Sequence, residues 1–186
     1  MSMDIQTDLG SAKGRNWPRR RHTLRAEQWI PRDLDEVFAF FSDAHNLNEV
    51  TPPWIHFQIL TPHPIEMREG ALIEYAIRLR LMPMRWRTKI TVWDPPHRFV
   101  DEQLSGPYTL WHHEHSFEGL NGGTLVRDAV TYALPLGWSP VSRLMHACVV
   151  KPDLAKVFAF RRAALERRFG VSAPRHADTE ARNNGR

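Results

Sequence analysis

The sequence predicts an α+β fold of helix-grip design: a curved antiparallel sheet of about seven strands wrapped around one long C-terminal helix, with two short helices after strand 1. Three observations predict it. Residues 71–134 alternate apolar and polar side chains in successive runs separated by tight turns, the pattern of an antiparallel meander. A helical apolar stripe closes the chain and needs a sheet to cover. Only two short helical segments separate the first strand from the meander.

Residues 1–21 are polar, lack periodicity and read as a disordered basic arm. Residues 22–30 alternate and form the first strand, after which Pro31-Arg32-Asp33 opens a short helix with Val37, Phe38, Phe40 and Phe41 on its apolar face. Ser42-Asp43-Ala44 caps a second short helix that ends before Thr51-Pro52-Pro53. Strands follow over 54–60, 71–81, 84–93, 98–104, 108–117 and 124–134, with turns at Met82-Pro83, Asp94-Pro95-Pro96, Gly106-Pro107 and Asn121-Gly122-Gly123. Ser139-Pro140 starts the last helix, and Val141, Leu144, Met145, Cys148 and Val149 recur at helical spacing. Pro152 should kink it, with Asp153 recapping, before Leu154, Val157, Phe158, Arg161, Ala164, Leu165 and Phe169 continue to Gly170. One folded domain over 22–170 and a disordered tail over 171–186 complete the expected organisation.

Composition excludes several classes. The net charge is +4, but residues 1–21 hold five basic and two acidic side chains, so the folded part is almost neutral and offers no nucleic-acid face. Arg19-Arg20-Arg21 reads as solvated rather than as a membrane anchor. No stretch approaches the ~20 apolar residues of a membrane span, and the N-terminus lacks the apolar region of a secretory signal. Cys148 is the single cysteine, which rules out an intrachain disulfide and makes the cytoplasm the expected location.

The chemistry lies in Trp111-His112-His113-Glu114-His115-Ser116-Phe117. Strand parity puts Trp111, His113, His115 and Phe117 on one face, and terminal aromatics mark that face as buried. The same parity turns Phe99, Asp101 and Gln103 inward on the preceding strand and Asp128 and Tyr132 on the following one. With Tyr75 and Trp86 these residues outline an apolar pocket carrying two carboxylates, two imidazoles and an amide, the usual composition of a small-molecule site. His112 and His56 fall on outward parity, and Cys148 reads as a small hydrophobe. Arg78, Arg80, Arg85, Arg87 and Lys89 form an outward basic stripe that Glu74, Glu102 and Glu114 can pair.

The segments EQWIPRDLDEVFAFFSDAHNLNEVTPPWIHFQI, RWRTKITVWDPPHRFVDEQLSGPYTLWHHEHSF, GGTLVRDAVTYALPLG and FAFRRAALERRF resemble the START-like superfamily. That superfamily includes birch-pollen-allergen-type proteins, polyketide cyclases and coenzyme-Q-binding START-domain proteins. Among its members the chain most resembles bacterial ligand-binding SRPBCC domain proteins, over about residues 22–170. The resemblance implies a cavity between sheet and C-terminal helix and a small hydrophobic ligand, with the two short helices and the Pro152 region as gates. The polar set can be a self-satisfied hydrogen-bond network, a ligand site, or the acid–base machinery (His113, His115, Asp128) of a cyclase- or dehydratase-type enzyme. A quinone or lipid chaperone is a further reading. His113-x-His115 with Asp128 is a minimal metal set without supporting ligands, so neither metal nor cofactor is expected.

Overall fold

A computed structural model of the chain describes residues 3–8, 17–79, 82–137 and 139–171. Among these, eight strands form one antiparallel sheet in the order β1-β2-β8-β7-β6-β5-β4-β3. The strands are β1 (Met3–Asp8), β2 (Arg21–Ile30), β3 (Gln58–Ile59), β4 (Leu72–Leu79), β5 (Met82–Asp94), β6 (Arg98–Ser105), β7 (Leu110–Leu120) and β8 (Gly123–Ala133). Between β2 and β3 lie α1 (Leu34–Ser42) and the one-turn α2 (Leu47–Val50). The C-terminal helix has three parts: α3 (Pro140–Met145), a π-helical turn (His146–Val150) and α4 (Lys151–Phe169).

Local chemistry accounts for most element ends. Ser139 Oγ accepts the Ser142 N–H and Pro140 occupies the first turn of α3. Gly170 ends α4 at φ 93°, a backbone conformation that L side chains rarely adopt. The β7–β8 hairpin turns on Asn121 and Gly122 at φ 54° and 74°, the left-handed pair that a two-residue hairpin loop requires.

Four expectations need correction. The arm over 1–21 contributes a strand: β1 pairs with β2 from Met3↔Ala26 to Asp8↔Arg21, and β2 itself begins at Arg21. Residues 9–16 of that arm and the tail beyond Val171 lie outside the described residues. The strand expected over 54–60 shrinks to Gln58–Ile59, because the prolines start a 3₁₀ turn at Pro53–Ile55 and His56 takes a left-handed conformation at φ 48°. Met82-Pro83 is no turn but the start of β5, with Pro83 opposite Arg78. Finally, Val141, Leu144 and Met145 are exposed, as is Cys148, so the first part of the stripe leaves the sheet uncovered.

Two apolar clusters hold α4 and α1 to the concave face. One joins Phe38, Phe40 and Phe41 of α1 to Phe99, Phe117 and Val126 of the sheet and to Leu165 and Phe169 of α4. The other joins Leu24, Ala26, Val130 and Tyr132 to Leu154 and Phe158. On the convex face Arg87 pairs with Glu74 at 3.3 Å and Arg98 with Glu114 at 3.6 Å, the solvated ladder that parity leads one to expect. His112 departs from it: its ring is buried, takes Glu102 Oε1 at 2.7 Å and lies 4.9 Å from the Trp17 ring. Among the described residues no helix is long and apolar enough to cross a membrane.

Candidate functional site

Between sheet and helix lies a cavity of about 560 Å³, within the size range of small-molecule pockets. Its wall is overwhelmingly apolar and comes from β4 and β5 (Ile73, Tyr75, Ile77, Trp86), from α1 (Phe41) and from the C-terminal helix (Val149, Leu154, Phe158). Met82, Leu136 and Met145 line it while largely exposed, which puts its mouth beside them. Polar tips along the wall are paired: Trp86 Nε1–H donates to Thr88 Oγ1 at 3.1 Å, and Tyr75 Oη lies 3.0 Å from the same oxygen. Burial pushes the Tyr75 and Tyr108 hydroxyls well above their ordinary pKa, with the nearby charges of Asp101 and Asp153 respectively adding to the effect, so both stay protonated.

One corner is different. Register places Asp101 opposite His113 and diagonal to His115, and Asp128 opposite His115 and diagonal to His113. The diagonals are the hydrogen bonds: His113 Nε2 to Asp128 Oδ1 at 3.0 Å, and His115 Nε2 to Asp101 Oδ2 at 3.2 Å. Directly across, His115 Nδ1 sits 2.8 Å from Asp128 Oδ1, an ion-pair distance without hydrogen-bond alignment, and His113 Nδ1 sits 3.6 Å from Asp101 Oδ2. Arg161 Nη2 of α4 reaches to 3.6 Å from Asp128 Oδ1. The imidazoles lie 3.8 Å apart, with Phe99 stacked beneath His115 at 4.3 Å.

Charge states follow from this packing. Burial alone would raise Asp128, but Arg161, then the His113 hydrogen bond and the close His115 ring, outweigh it and hold the carboxyl well below the usual range. Asp101 is likewise raised by burial and lowered further by His115, His113 and Arg161, ending below its ordinary value. Burial lowers His115, yet its hydrogen bond to Asp101 and its close contact with the Asp128 carboxylate prevail and raise it. His113 goes the other way, lowered by burial and by His115 against the pull of Asp128 and Asp101. An ionised carboxylate only accepts, so each ring nitrogen hydrogen-bonded to one carries a proton. These directions favour a charged His115 and a neutral His113 between two carboxylates and a guanidinium, a set whose charges cancel.

Of the residues expected from sequence, Tyr75, Trp86, Phe99, Asp101, Trp111, His113 and His115 line the cavity. Three others do not. Asp128 is buried behind the histidines, between β8 and α4. Tyr132 is fully buried against Leu24 and Phe158 and its hydroxyl lies 2.9 Å from His146 Nε2. Gln103 turns into the following turn, donating to the Tyr108 carbonyl at 2.6 Å; a Cβ at Gly106 would collide with this carboxamide. Arg161 was not among the expected residues. Its signal was a cation at core spacing within the helical stripe, between Phe158 and Leu165.

Asp101, His113 and His115 also present ligand atoms within 4.8 Å of one another, a two-histidine, one-carboxylate set of the kind that holds divalent ions. These residues fit such an ion poorly. It would displace the Nε2 proton of His115, break the His115–Asp101 hydrogen bond and add positive charge beside the Arg161 guanidinium.

A curved antiparallel sheet gripping a long helix over an apolar cavity defines the helix-grip, START-like class of protein. The sequence matches the family model for polyketide cyclase / dehydrase and lipid transport over residues 30–150, more than half its length, and the chain belongs to that family. No curated protein matches it significantly. Among solved structures it is similar to Ms6760 from Mycobacterium smegmatis, with 17% identity, 88% of this chain and 94% of that one covered, and a TM-score of 0.58. TTHA0849 from Thermus thermophilus matches at 20% identity, 79% and 96% coverage and a TM-score of 0.56. Ara h 8.0201 matches at 16% identity, 78% and 99% coverage and a TM-score of 0.52. At such identities the likeness shows the fold alone.

Proposed function

We propose that the protein is a cytoplasmic carrier or sensor that holds a small hydrophobic molecule in the cavity between sheet and C-terminal helix. The observation that carries this reading is the cavity itself: about 560 Å³ of apolar, aromatic-rich wall with polar groups gathered in one corner. Family membership supports it, since lipid transport is one of the activities that the family's description names. Native mass spectrometry of the protein purified from its own host tests it. A retained small molecule, released on denaturation and apolar in character, is the expected result. A chain that stays empty and takes up no neutral apolar dye such as Nile red would overturn the reading.

The same corner supports a second reading, because a buried histidine hydrogen-bonded to a carboxylate is the pairing used for general acid–base work. As a cyclase or dehydratase the protein would exchange a proton between His113 or His115 and a bound carbonyl compound. His113→Gln would then lower turnover by orders of magnitude while binding persisted.

A further inference from the structure

Among the described residues, the Arg161 guanidinium is the one cation on the cavity wall whose donors are left unused. Its side chain is 12% exposed, and its one ion-pair contact within 4 Å among those residues is Asp128 Oδ1 at 3.6 Å, beyond hydrogen-bond reach, with the Asp101 carboxylate farther off. Its Nε is buried without a partner. Phe41 lies against the group, 5.0 Å from ring centroid to Cζ, and neither Nη makes a hydrogen bond to the described residues or is sealed from the cavity as Nε is. A buried donor left unmade costs about 1–3 kcal/mol, more when charged, so the two Nη groups gain from an anionic acceptor supplied from the cavity.

We propose that the ligand is an amphipathic monocarboxylic acid whose carboxylate is received by Arg161, and that its binding takes up one proton at His113. This rests on the binding reading above and deepens it. Without ligand the charges of Asp101, Asp128, His115 and Arg161 cancel. A monoanion beside Arg161 upsets that balance by one, and one added proton restores it. His113 is the group placed to accept it. Its Nε2–H is spent on Asp128, while Nδ1 carries a lone pair 3.6 Å from the acceptor oxygen of Asp101, two acceptors facing each other. A proton on Nδ1 turns that contact into an ion pair. A dianion such as a phosphate monoester would still leave one charge uncompensated in a low-dielectric chamber, which selects against it. The remaining titratable groups facing this corner are Tyr75, Tyr108 and Asp153, and both tyrosines remain neutral.

Matched acids and alcohols test this: dodecanoate against 1-dodecanol for an acyl ligand, and 2-naphthoate against 2-naphthalenemethanol for an aromatic one. Affinity is read by displacement of Nile red and by calorimetry in two buffers of different ionisation enthalpy, which counts protons. The expected result is an acid preferred over its alcohol by about tenfold or more at pH 6, equivalent to about 1.4 kcal/mol. Uptake should approach one proton per acid, so that acid affinity falls by up to about tenfold per pH unit between 6 and 8 while alcohol affinity stays level. Arg161→Gln should bring the acid down to its alcohol, and Arg161→Lys should recover part of the difference. The wild-type acid-to-alcohol ratio and the proton count need no variant, so a folding defect in Arg161→Gln leaves the test intact. Acids and alcohols binding alike, without proton uptake, would overturn this inference and leave the cavity reading standing. Failure of Nile red and of all four probes to bind would overturn both.

Discussion

Asp128 is the side chain on which the polar corner depends, although it does not touch the cavity. Its Oδ1 faces His113 Nε2, His115 Nδ1 and Arg161 Nη2 at 3.0, 2.8 and 3.6 Å. Asp128→Asn keeps the volume and removes the charge, leaving His115 and Arg161 short of an anion in a buried setting. Breaking one side of such a cluster costs about 3–5 kcal/mol, or about 6–20 °C in Tm for a chain of this size, which thermal unfolding followed by circular dichroism would read. The pH dependence has two arms. Asp101 and Asp128 titrate below their unfolded values, so their contribution is present above pH ~4 and is lost as pH falls through the folded values. His115 titrates above its unfolded 6.5, so its contribution is present below that pH and is lost as pH rises through the folded value. Wild-type Tm should therefore decline on the alkaline side, and His115→Gln should flatten that decline. At this scale strand parity made Asp101, His113 and His115 legible as neighbours, because successive residues of a strand must point to opposite faces. Arg161 was not, since helical spacing shows that a residue shares a stripe but not which wall that stripe meets. Nor could parity foresee that Gln103 would bend away to its own turn.

The C-terminal helix answers to its proline. Pro152 has no N–H to offer the carbonyl of Cys148 and its ring crowds that carbonyl, so the preceding turn widens into the π segment over His146–Val150 instead of breaking. That turn is tied to the sheet by polar contacts. The His146 ring stacks on His22 with centroids 3.5 Å apart and receives or donates one hydrogen bond with the Tyr132 hydroxyl, while His22 Nδ1 lies 3.1 Å from Thr7 Oγ1 of β1. Burial, then His146, then Lys151 push His22 down to about 4; burial and Lys151 lower His146 as well. Both are favoured neutral, because a stacked pair of imidazolium ions repels. The unfolded chain binds these protons first, so stability should drop as pH falls from about 6.5 toward 4. His146→Phe keeps the stack and removes one of the charges. Its Tm is expected about 2–4 °C lower at pH 7, from about 1 kcal/mol for the unpaired Tyr132 hydroxyl, and less sensitive between pH 6.5 and 4. Amide hydrogen exchange over 146–150 should report the same loosening locally. Helical periodicity could not disclose this arrangement: it marked Val141, Leu144 and Met145 as core, whereas all three are exposed, Met145 at the cavity mouth. The ends set by Ser139-Pro140 and Gly170 were legible because they are local chemistry.

At the scale of the whole molecule, the fold was legible wherever burial is one-sided, since alternation then records which face meets the helix. It failed at β1, whose Met3, Asp4, Gln6 and Thr7 are exposed and whose pairing rests on backbone bonds to β2 rather than on side-chain pattern. It also could not show that the space between sheet and helix stays open, because an apolar residue lining a void reads like one in a packed core. That void has an energetic consequence. A wall of Ile73, Ile77, Trp86 and Phe158 without filling atoms forfeits dispersion contacts, so the empty protein is less stable than its apolar content would allow. A ligand at one hundred times its Kd restores about 2.7 kcal/mol, a rise of about 5–11 °C in Tm. Filling the void covalently should have the opposite consequence for binding. Ala44, buried and on the cavity wall beside Phe41, is the position to enlarge. If the cavity exists to hold a molecule, Ala44→Phe should match or exceed the wild-type Tm without ligand, show little further rise with a saturating apolar ligand, and take up much less Nile red. If the space were only loose packing that tightens on its own, the enlarged side chain would overpack it, cost about 1–3 kcal/mol or about 2–12 °C in Tm, and leave no ligand-dependent rise to lose in either protein.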